Sequence, residues 1–332
     1  MAILVTGGAG FVGLNLVEAL LARGEEVVLF DRGAPPPAAE RAWATQRGRL
    51  QLVAGDVLDA AALGKAFAAR RIDRVLHCAA MTSGPKREAS DPGGVVAVNL
   101  QGTINVLTAA REHQVRRVVY TGSGAVYGES LRRFGRIYED NTPALPVTLY
   151  AITKFAAERI ALRLKNLWGV DVVCARLGTL VGPWERDTGV RDNFGTHSQL
   201  ARLALAGETA VLPPREVRRD WIYSRDVAAG LIALLEASAP RHFIYNLSSG
   251  FDWSGSVLAW CEILKDAYSR FDFRVAAADE TPNIGYTDTD RFPMDVGRIE
   301  HDIGFKPRFT PREALADYLE WLRRTPDFWE SP

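Results

Sequence analysis

The sequence predicts an α/β fold, a doubly wound parallel sheet with a smaller C-terminal lobe. Three features predict it. Short apolar segments alternate with helix-periodic ones through the first half of the chain. A glycine-rich turn joins the first strand to the first helix. After Gly178 the alternation loosens into loops and short elements.

The elements follow in order. Ile3 to Val5 reads as the first strand and Phe11 to Arg23 as the first helix, stopped by Gly24. Val27 to Phe30 and Leu50 to Val53 are the next strands, and the proline run within Ala34 to Ala39 is a loop. An alanine-rich helix spans about Asp59 to Ala69, a fourth strand Arg74 to Ala79, a helix Gly94 to His113 and a fifth strand Arg117 to Thr121. A helix over Tyr150 to Trp168 and a strand over Val172 to Leu177 complete the alternation. Right-handed crossovers then put helices on both faces of the sheet. Residues 1–178 form this domain and 219–249 return to it. Residues 179–218 and 250–332 are expected to form the smaller lobe.

Composition narrows the function classes. Lys plus Arg and Asp plus Glu both number 40, so the net charge is zero and nothing global attracts nucleic acid or an anionic membrane. Residues 2–22 are apolar enough to suggest a leader or membrane segment. Thr6, Asn15, Glu18 and four glycines interrupt them, and no basic stretch precedes them. Cys78, Cys174 and Cys261 are too scattered for a disulfide framework or a metal site. They read as buried thiols in a reducing cytosol, which points to a cytoplasmic protein.

The glycine turn carries the first chemistry. In Thr6-Gly7-Gly8-Ala9-Gly10-Phe11-Val12-Gly13, Gly7 permits a tight turn, Gly10 a close pyrophosphate approach, and Gly13 helix–strand packing. The helix that opens at Phe11 and Val12 offers amide groups and a partial positive charge to phosphates. This is a Rossmann-type dinucleotide signature. Asp31, 18 residues beyond Gly13, is placed to accept hydrogen bonds from ribose hydroxyls and to repel a 2′-phosphate. NAD is therefore expected over NADP, although Arg32 could stack on adenine or meet a 2′-phosphate. Asp56 and Val57 either flank adenine or start a turn or cap.

Tyr150 and Lys154 stand four apart on a helix and share one face. An ammonium beside a phenol favours the phenolate, which makes Tyr150 a candidate proton shuttle. Ser123 ends the fifth strand, at the carboxyl edge where ligands of open α/β sheets bind, and its hydroxyl can hold a substrate oxygen.

Together with those residues, HCAA (His77–Ala80), Asn99, SGAVYG (Ser123–Gly128), YAITK (Tyr150–Lys154), RLGTLVGP (Arg176–Pro183) and RDWIYSRDVA (Arg219–Ala228) resemble the extended short-chain dehydrogenase/reductase family. The branch most resembled is that of NAD-dependent nucleotide-sugar epimerases and dehydratases. The resemblance implies a cofactor set of Gly7, Gly10, Phe11, Val12, Gly13, Asp31, Arg32, Asp56, Val57, Ala79, Ala80, Asn99, Tyr150, Lys154 and Leu177. It implies Ser123, Tyr150 and Lys154 as the catalytic trio. It places Thr82, Ser123, Thr179, Arg219 and Arg291 on the substrate side. It also implies a homodimer built on the helices near 94–113 and 150–168.

Dehydratases of the family carry an Asp-Glu pair after the catalytic hydroxyl residue, and its uronate decarboxylases a Glu two residues on. Gly124 and Ala125 stand there and cannot do acid–base work. The expected function is thus NAD-dependent epimerisation of a sugar or nucleotide sugar at C4 through a keto intermediate. A dehydrogenase or reductase of a free sugar, sugar acid or other secondary alcohol shares the same residues, and a non-catalytic dinucleotide-binding protein is the third reading. Thr179 resembles the uronate-epimerase variant of a position that is commonly Asn. Arg219 matches the family's phosphate-binding arginine, with Arg215 and Arg218 as a basic rim. The family's second arginine normally precedes a Gly-Asp step. The stretch Asp279 to Asp295 lacks that step and offers Arg291. His77 is expected to be structural and His197 to lie at the surface. Trp184-Glu185-Arg186-Asp187 is either a lid or a solvated turn. Tyr127 and Trp221 are expected to pack.

Overall fold

In the computed structural model, residues 1–192, 194–285 and 289–329 are described. Asn193 of the 186–196 loop and Tyr286 to Asp288 of the 279–295 stretch fall outside them, as do residues 330–332. The elements run β1 (Ala2–Thr6), α1 (Phe11–Ala22), β2 (Glu26–Asp31), α2 (Pro37–Ala42), β3 (Leu50–Ala54), α3 (Ala60–Ala69), β4 (Ile72–His77), α4 (Pro85–Ser90), α5 (Pro92–Val96) and α6 (Gly102–Glu112). They continue with β5 (Arg117–Ser123), α7 (Leu149–Trp168), β6 (Val172–Leu177), β7 (Thr179–Val181), α8 (Thr196–Ala206), β8 (Thr209–Leu212), β9 (Trp221–Tyr223) and α9 (Ser224–Glu236). The last are β10 (Ile244–Leu247), α10 (Ser256–Ala267), β11 (Asp272–Val275), α11 (Gly297–Ile303) and α12 (Pro311–Arg324).

Seven strands pair in the order β10-β6-β5-β4-β1-β2-β3, and every pairing is parallel. Alternation of side chains along each strand splits the core in two. Ile3, Val5, Val27 and Leu29 face one layer, which contains α1 and α9. Ala2, Leu4, Val28 and Phe30 face the other, which contains α3, α6 and α7. Each fully buried Leu or Ile contributes about 1.5–3 kcal/mol by leaving water, so this two-sided burial is what holds the strand ends in register. Outside the large sheet, β7 pairs with β9 and β8 with β11.

Local sequence sets the helix ends. Asp59 caps α3 by accepting from the amides of Ala61 and Ala62, and Thr148 caps α7 through Ala151. Gly169, at φ 71°, ends α7, while Thr310 and Glu313 form a capping box at α12. The helix expected over Gly94 to His113 starts at Pro92 and contains a π turn over Ala97–Gln101. That bulge turns Asn99 inward, where it is buried. Its side chain accepts from the Met81 amide at 2.8 Å and donates to the Met81 carbonyl and the Thr153 hydroxyl. Asn99 therefore ties the end of β4 to α7. No helix among the described residues is long and apolar enough to cross a membrane.

Candidate active site

Strand order reverses between β1 and β4, which opens a crevice at their carboxyl ends. Gly7 sits there at φ +66°, and a Cβ on it would fall 2.6 Å from the Ala79 amide nitrogen. A Cβ on Gly13 would fall 2.1 Å from the Gly7 carbonyl oxygen. Both glycines are therefore required for the turn to close on β4 and α1. Gly10 is different: a Cβ there meets only the Gly7 carbonyl, at 3.2 Å. Gly10 is also the N-cap of α1 and has no side chain to cap it, so the first amides, at Phe11 and Val12, are left for an anion. This cradle fits a dinucleotide diphosphate.

Asp31 ends β2 and accepts from the Ala9 amide at 3.0 Å and the Gly33 amide at 3.1 Å. Its carboxylate is thus fixed beside the glycine turn, where each oxygen keeps a second lone pair for a ribose hydroxyl. Asp56 starts a turn by accepting from the Leu58 amide, and the helix cap is Asp59 instead. Arg32 points toward Asp56, at 3.7 Å. Val57 is buried and packs against Gly102. Ala79 and Ala80 follow β4 beside Gly7, and Leu177 ends β6 next to Ser123 of β5.

Ser123, Thr82 and Tyr150 converge. The Ser123 and Thr82 hydroxyls are hydrogen-bond partners of the Tyr150 phenol and lower its pKa, against burial, which raises it more. Ser123 Oγ also accepts from the Ala125 amide at 3.1 Å. The Lys154 ammonium lies 4.4 Å from the centre of the Tyr120 ring, and the Arg191 guanidinium is a second cation, which lowers the Tyr150 pKa. Burial brings the Lys154 ammonium down to about 8.

Neighbouring titratable groups are inert. His77 bridges Thr6 and Thr103 through its two ring nitrogens, and burial pushes it down to about 3, so it is structural. The Cys78 thiol is pushed up to about 12 by burial. A group of His, Cys, Asp or Glu able to hold a metal ion does not occur among the described residues.

On the substrate side, Thr179 opens β7, and its amide donates to the Asp220 carbonyl at 2.8 Å. Arg219 donates to the Thr289 carbonyl at 2.6 Å, and the Arg291 amide donates to the Arg218 carbonyl. Arg215, Arg218 and Arg291 line a cavity of about 490 Å³ with Arg132 and Phe292. The Arg291 guanidinium is largely buried, and burial lowers its pKa.

Four participants escaped sequence reasoning. Glu88 accepts from the Tyr150 amide and from the Ser83 hydroxyl, both at 3.1 Å, and so caps the catalytic helix from outside it. Arg132 joins the arginine cavity from a loop without a motif. Asp220 is buried, accepts from Ser248 at 2.5 Å and the Met294 amide at 3.2 Å, and is pushed up to about 7 by burial. Arg191 was hidden in a charged loop. One expectation is also overturned and one alternative is excluded. His197 is 1% exposed, packed edge-on against Trp221 and Trp253, because α8 turns it into the core. Trp184 and Glu185 are buried as well, so their loop is no solvated turn. Tyr127 and Trp221 do pack in the core.

A sequence model of the NAD dependent epimerase/dehydratase family matches residues 3–248. The dTDP-glucose 4,6-dehydratase of Actinoplanes sp. is 28% identical over 99% of this chain and 100% of its own. The UDP-glucose 4-epimerase of Mycolicibacterium smegmatis is 29% identical over 97% and 99%. Among solved structures, MoeE5 in complex with UDP-glucuronic acid and NAD is 28% identical, with TM-score 0.75 over 98% of this chain and 100% of that one. DesIV, the dTDP-glucose 4,6-dehydratase of Streptomyces venezuelae with NAD and TYD bound, is 26% identical, with TM-score 0.77 over 99% of both chains. With the glycine cradle and the Ser123–Tyr150 pair in place, these matches show that the chain belongs to the NAD-dependent epimerase/dehydratase family of extended short-chain dehydrogenases/reductases.

Proposed function

We propose that this protein is a nucleotide-sugar 4-epimerase that uses NAD. The observation that carries this reading over dehydration lies beside Ser123. A Cβ on Gly124 would fall 2.9 Å from the Met294 sulfur and 3.1 Å from the Leu177 carbonyl oxygen. The position following the catalytic hydroxyl thus carries no acid, and any side chain there would have to displace the Met294 thioether.

Gly7, Gly10, Gly13 and the first amides of α1 would hold the diphosphate, Asp31 the adenosine ribose, and Lys154 the second ribose. The nicotinamide supplies a reversible hydride acceptor when bound. Tyr150 takes the proton of the substrate hydroxyl as the carbon-bound hydride leaves, and returns it when the hydride comes back on the other face of the keto sugar. Ser123 and Thr82 orient the reacting oxygen at the phenol. The arginine cavity holds the nucleotide diphosphate, since bidentate Arg contacts suit phosphate oxygens. Residues 179–218 and 250–332 are the substrate-binding lobe in this reading. Thr179 at the sugar end supports a uronate sugar, and the likeness to MoeE5, solved with both UDP-glucose and UDP-glucuronic acid, supports a uridine diphosphate sugar. Exposed Val96 and Ile152 on α5 and α7 support pairing of two copies through those helices.

The test is incubation of the purified protein with UDP-glucuronic acid and with UDP-glucose, followed by proton NMR of the sugar. The C4 epimer without net NADH supports the reading. Net NADH identifies a dehydrogenase, a keto-deoxy product a dehydratase, and either outcome refutes epimerisation.

A further inference from the structure

The segment from Trp184 to Asp192 runs from the glycine turn to the Thr82 loop and is anchored at both ends. At the first end, Trp184 packs among Trp43, Trp321 and Phe328, and Glu185 accepts from the Gly195 amide and the Ser198 hydroxyl. At the other, the Thr82 amide donates to the Val190 carbonyl at 2.8 Å, and the Asp192 amide to the Thr82 carbonyl at 3.2 Å. Arg87 pairs with Asp192 at 2.6 Å and donates to the Gly189 carbonyl at 2.9 Å.

Between the anchors stand two arginines aimed at the cofactor cleft. Arg186 reaches the Ala9 carbonyl at 3.4 Å, within the glycine turn, and the Ala34 carbonyl at 3.0 Å, after β2. The Arg191 guanidinium lies 5.5 Å from the centre of the Phe11 ring, at the N-terminus of α1, and pairs with buried Glu185 at 2.6 Å. The Nε of each is buried, and among the described residues neither finds a hydrogen-bond acceptor. A buried donor left unmet is costly, and a guanidinium fork matches phosphate oxygens. Two such donors, next to the two residues that bracket the diphosphate cradle, are placed to meet phosphate oxygens.

We infer that Arg186 and Arg191 are dinucleotide-binding residues, carried across the cofactor from the glycine turn by this strap and latched there by the Arg87–Asp192 pair. The inference rests on the cofactor assignment of the proposed function but not on the reaction. It makes the cofactor a resident group, since the strap must lift before the dinucleotide leaves. Arg191 also stands close enough to Tyr150 to favour the phenolate, so one residue serves both the cofactor and the proton shuttle.

The test is calorimetric titration of the protein, stripped of nucleotide, with NAD, together with the rate at which excess NAD displaces bound NADH fluorescence. Arg186→Gln and Arg191→Gln each raise the NAD Kd about 10- to 100-fold, the loss of one charge-assisted contact. Asp192→Asn leaves every proposed cofactor contact in place and raises the NADH release rate about tenfold. Should that variant fail to fold, Arg87→Gln repeats the measurement from the other side of the latch. A Kd within twofold of the parent for both arginine variants overturns the inference, as does an unchanged release rate in a folded latch variant. A protein that epimerises no sugar but loses NAD on these substitutions sinks the proposed reaction and leaves the inference standing.

Discussion

The helix that carries Tyr150 and Lys154 is pinned to the sheet by one buried ion pair, and breaking it has a predictable cost. Glu158 is 0% exposed and Arg176 side-chain exposure is 4%. The pair is bidentate, Nε to Oε2 at 2.8 Å and Nη2 to Oε1 at 2.6 Å. The guanidinium also lies 4.8 Å from the Tyr127 ring centre and reaches the Glu139 carbonyl. Glu158→Leu leaves Arg176 charged in the core with only those weaker contacts, which costs about 3–5 kcal/mol. Unfolding entropy scales with length, and at 332 residues it comes to about 0.7 kcal/mol/K. The melting temperature should therefore fall by about 4–7 °C in a thermal melt followed by circular dichroism. The double variant Glu158→Leu/Arg176→Met removes both charges and should recover much of that loss, because an apolar pair replaces an ionic one at little net cost. A single variant that melts within 1 °C of the parent would refute the reasoning, as would a double variant that loses the sum of both singles.

Other consequences are separable by assay. Tyr150→Phe should lower kcat about 10²- to 10⁴-fold while NAD still binds, and a fall below tenfold in a folded protein would remove the phenol from the mechanism. Gly13→Ala should abolish soluble folded protein, since its Cβ would sit 2.1 Å from the Gly7 carbonyl oxygen; Gly10→Ala, with its nearest neighbour at 3.2 Å, should fold but bind NAD more weakly, as calorimetry would show. His77 and His197 are both held down to about 3 in the folded chain, so the unfolded chain takes up protons first as pH falls below 6.5. Each histidine's contribution is then full above pH 6.5 and falls toward pH 3, by about 2 kcal/mol at pH 5, while Asp220, held up at about 7, works in the opposite direction over the same window; urea melts of His197→Leu should show a slope lower than the parent's by about 1.4 kcal/mol per pH unit near pH 5, and an unchanged slope would clear His197. Gly124→Asp should lower both activity and melting temperature by colliding with Met294, and a dehydratase gained without loss of stability would show the position to be open after all.

What the sequence made legible is what repeats at short range. The turn glycines, the strand-end Ser123 and the Tyr150–Lys154 spacing are local patterns, and the doubly wound parallel sheet follows from alternation and handedness, though its strand order does not. Six of the seven strands lie where apolar runs placed them, to within one or two residues, and β10 was expected only as part of the returning 219–249 segment. The π turn at Ala97–Gln101 was invisible, since it obeys no composition rule and is set by Asn99 bonding across to Met81 and Thr153. His197 was misplaced for a related reason. A lone histidine in a polar-looking stretch reads as surface, and only the long-range approach of Trp221 and Trp253 buries it. Glu88, Arg132 and Arg191 share that property: each acts on a residue far away in the chain, and no local signal marks it.

The Arg191 case shows how the missing part changes the chemistry. Local spacing alone assigns the phenol's cation to Lys154, four residues along the same helix. In the folded chain that ammonium lies over Tyr120, is brought down to about 8, and shares its surroundings with Cys78 and Cys174. A charge that favours the Tyr150 phenolate also comes from the loop after β7, fixed by Glu185 and by the bridge between Arg191 and Thr82. Thr82 is also a hydroxyl partner of Tyr150, so the phenol and its cation are joined through one backbone contact. The proton shuttle is therefore assembled across the cleft, and its pKa should follow the position of that loop. In the pH profile of kcat/KM, the alkaline-rising limb that reports the phenol should move to higher pH in Arg191→Gln. It should move the same way, by less, in Asp192→Asn, which disturbs only the loop's far anchor. A limb that stays put in both variants, with Lys154→Met shifting it instead, would return the assignment to the helix.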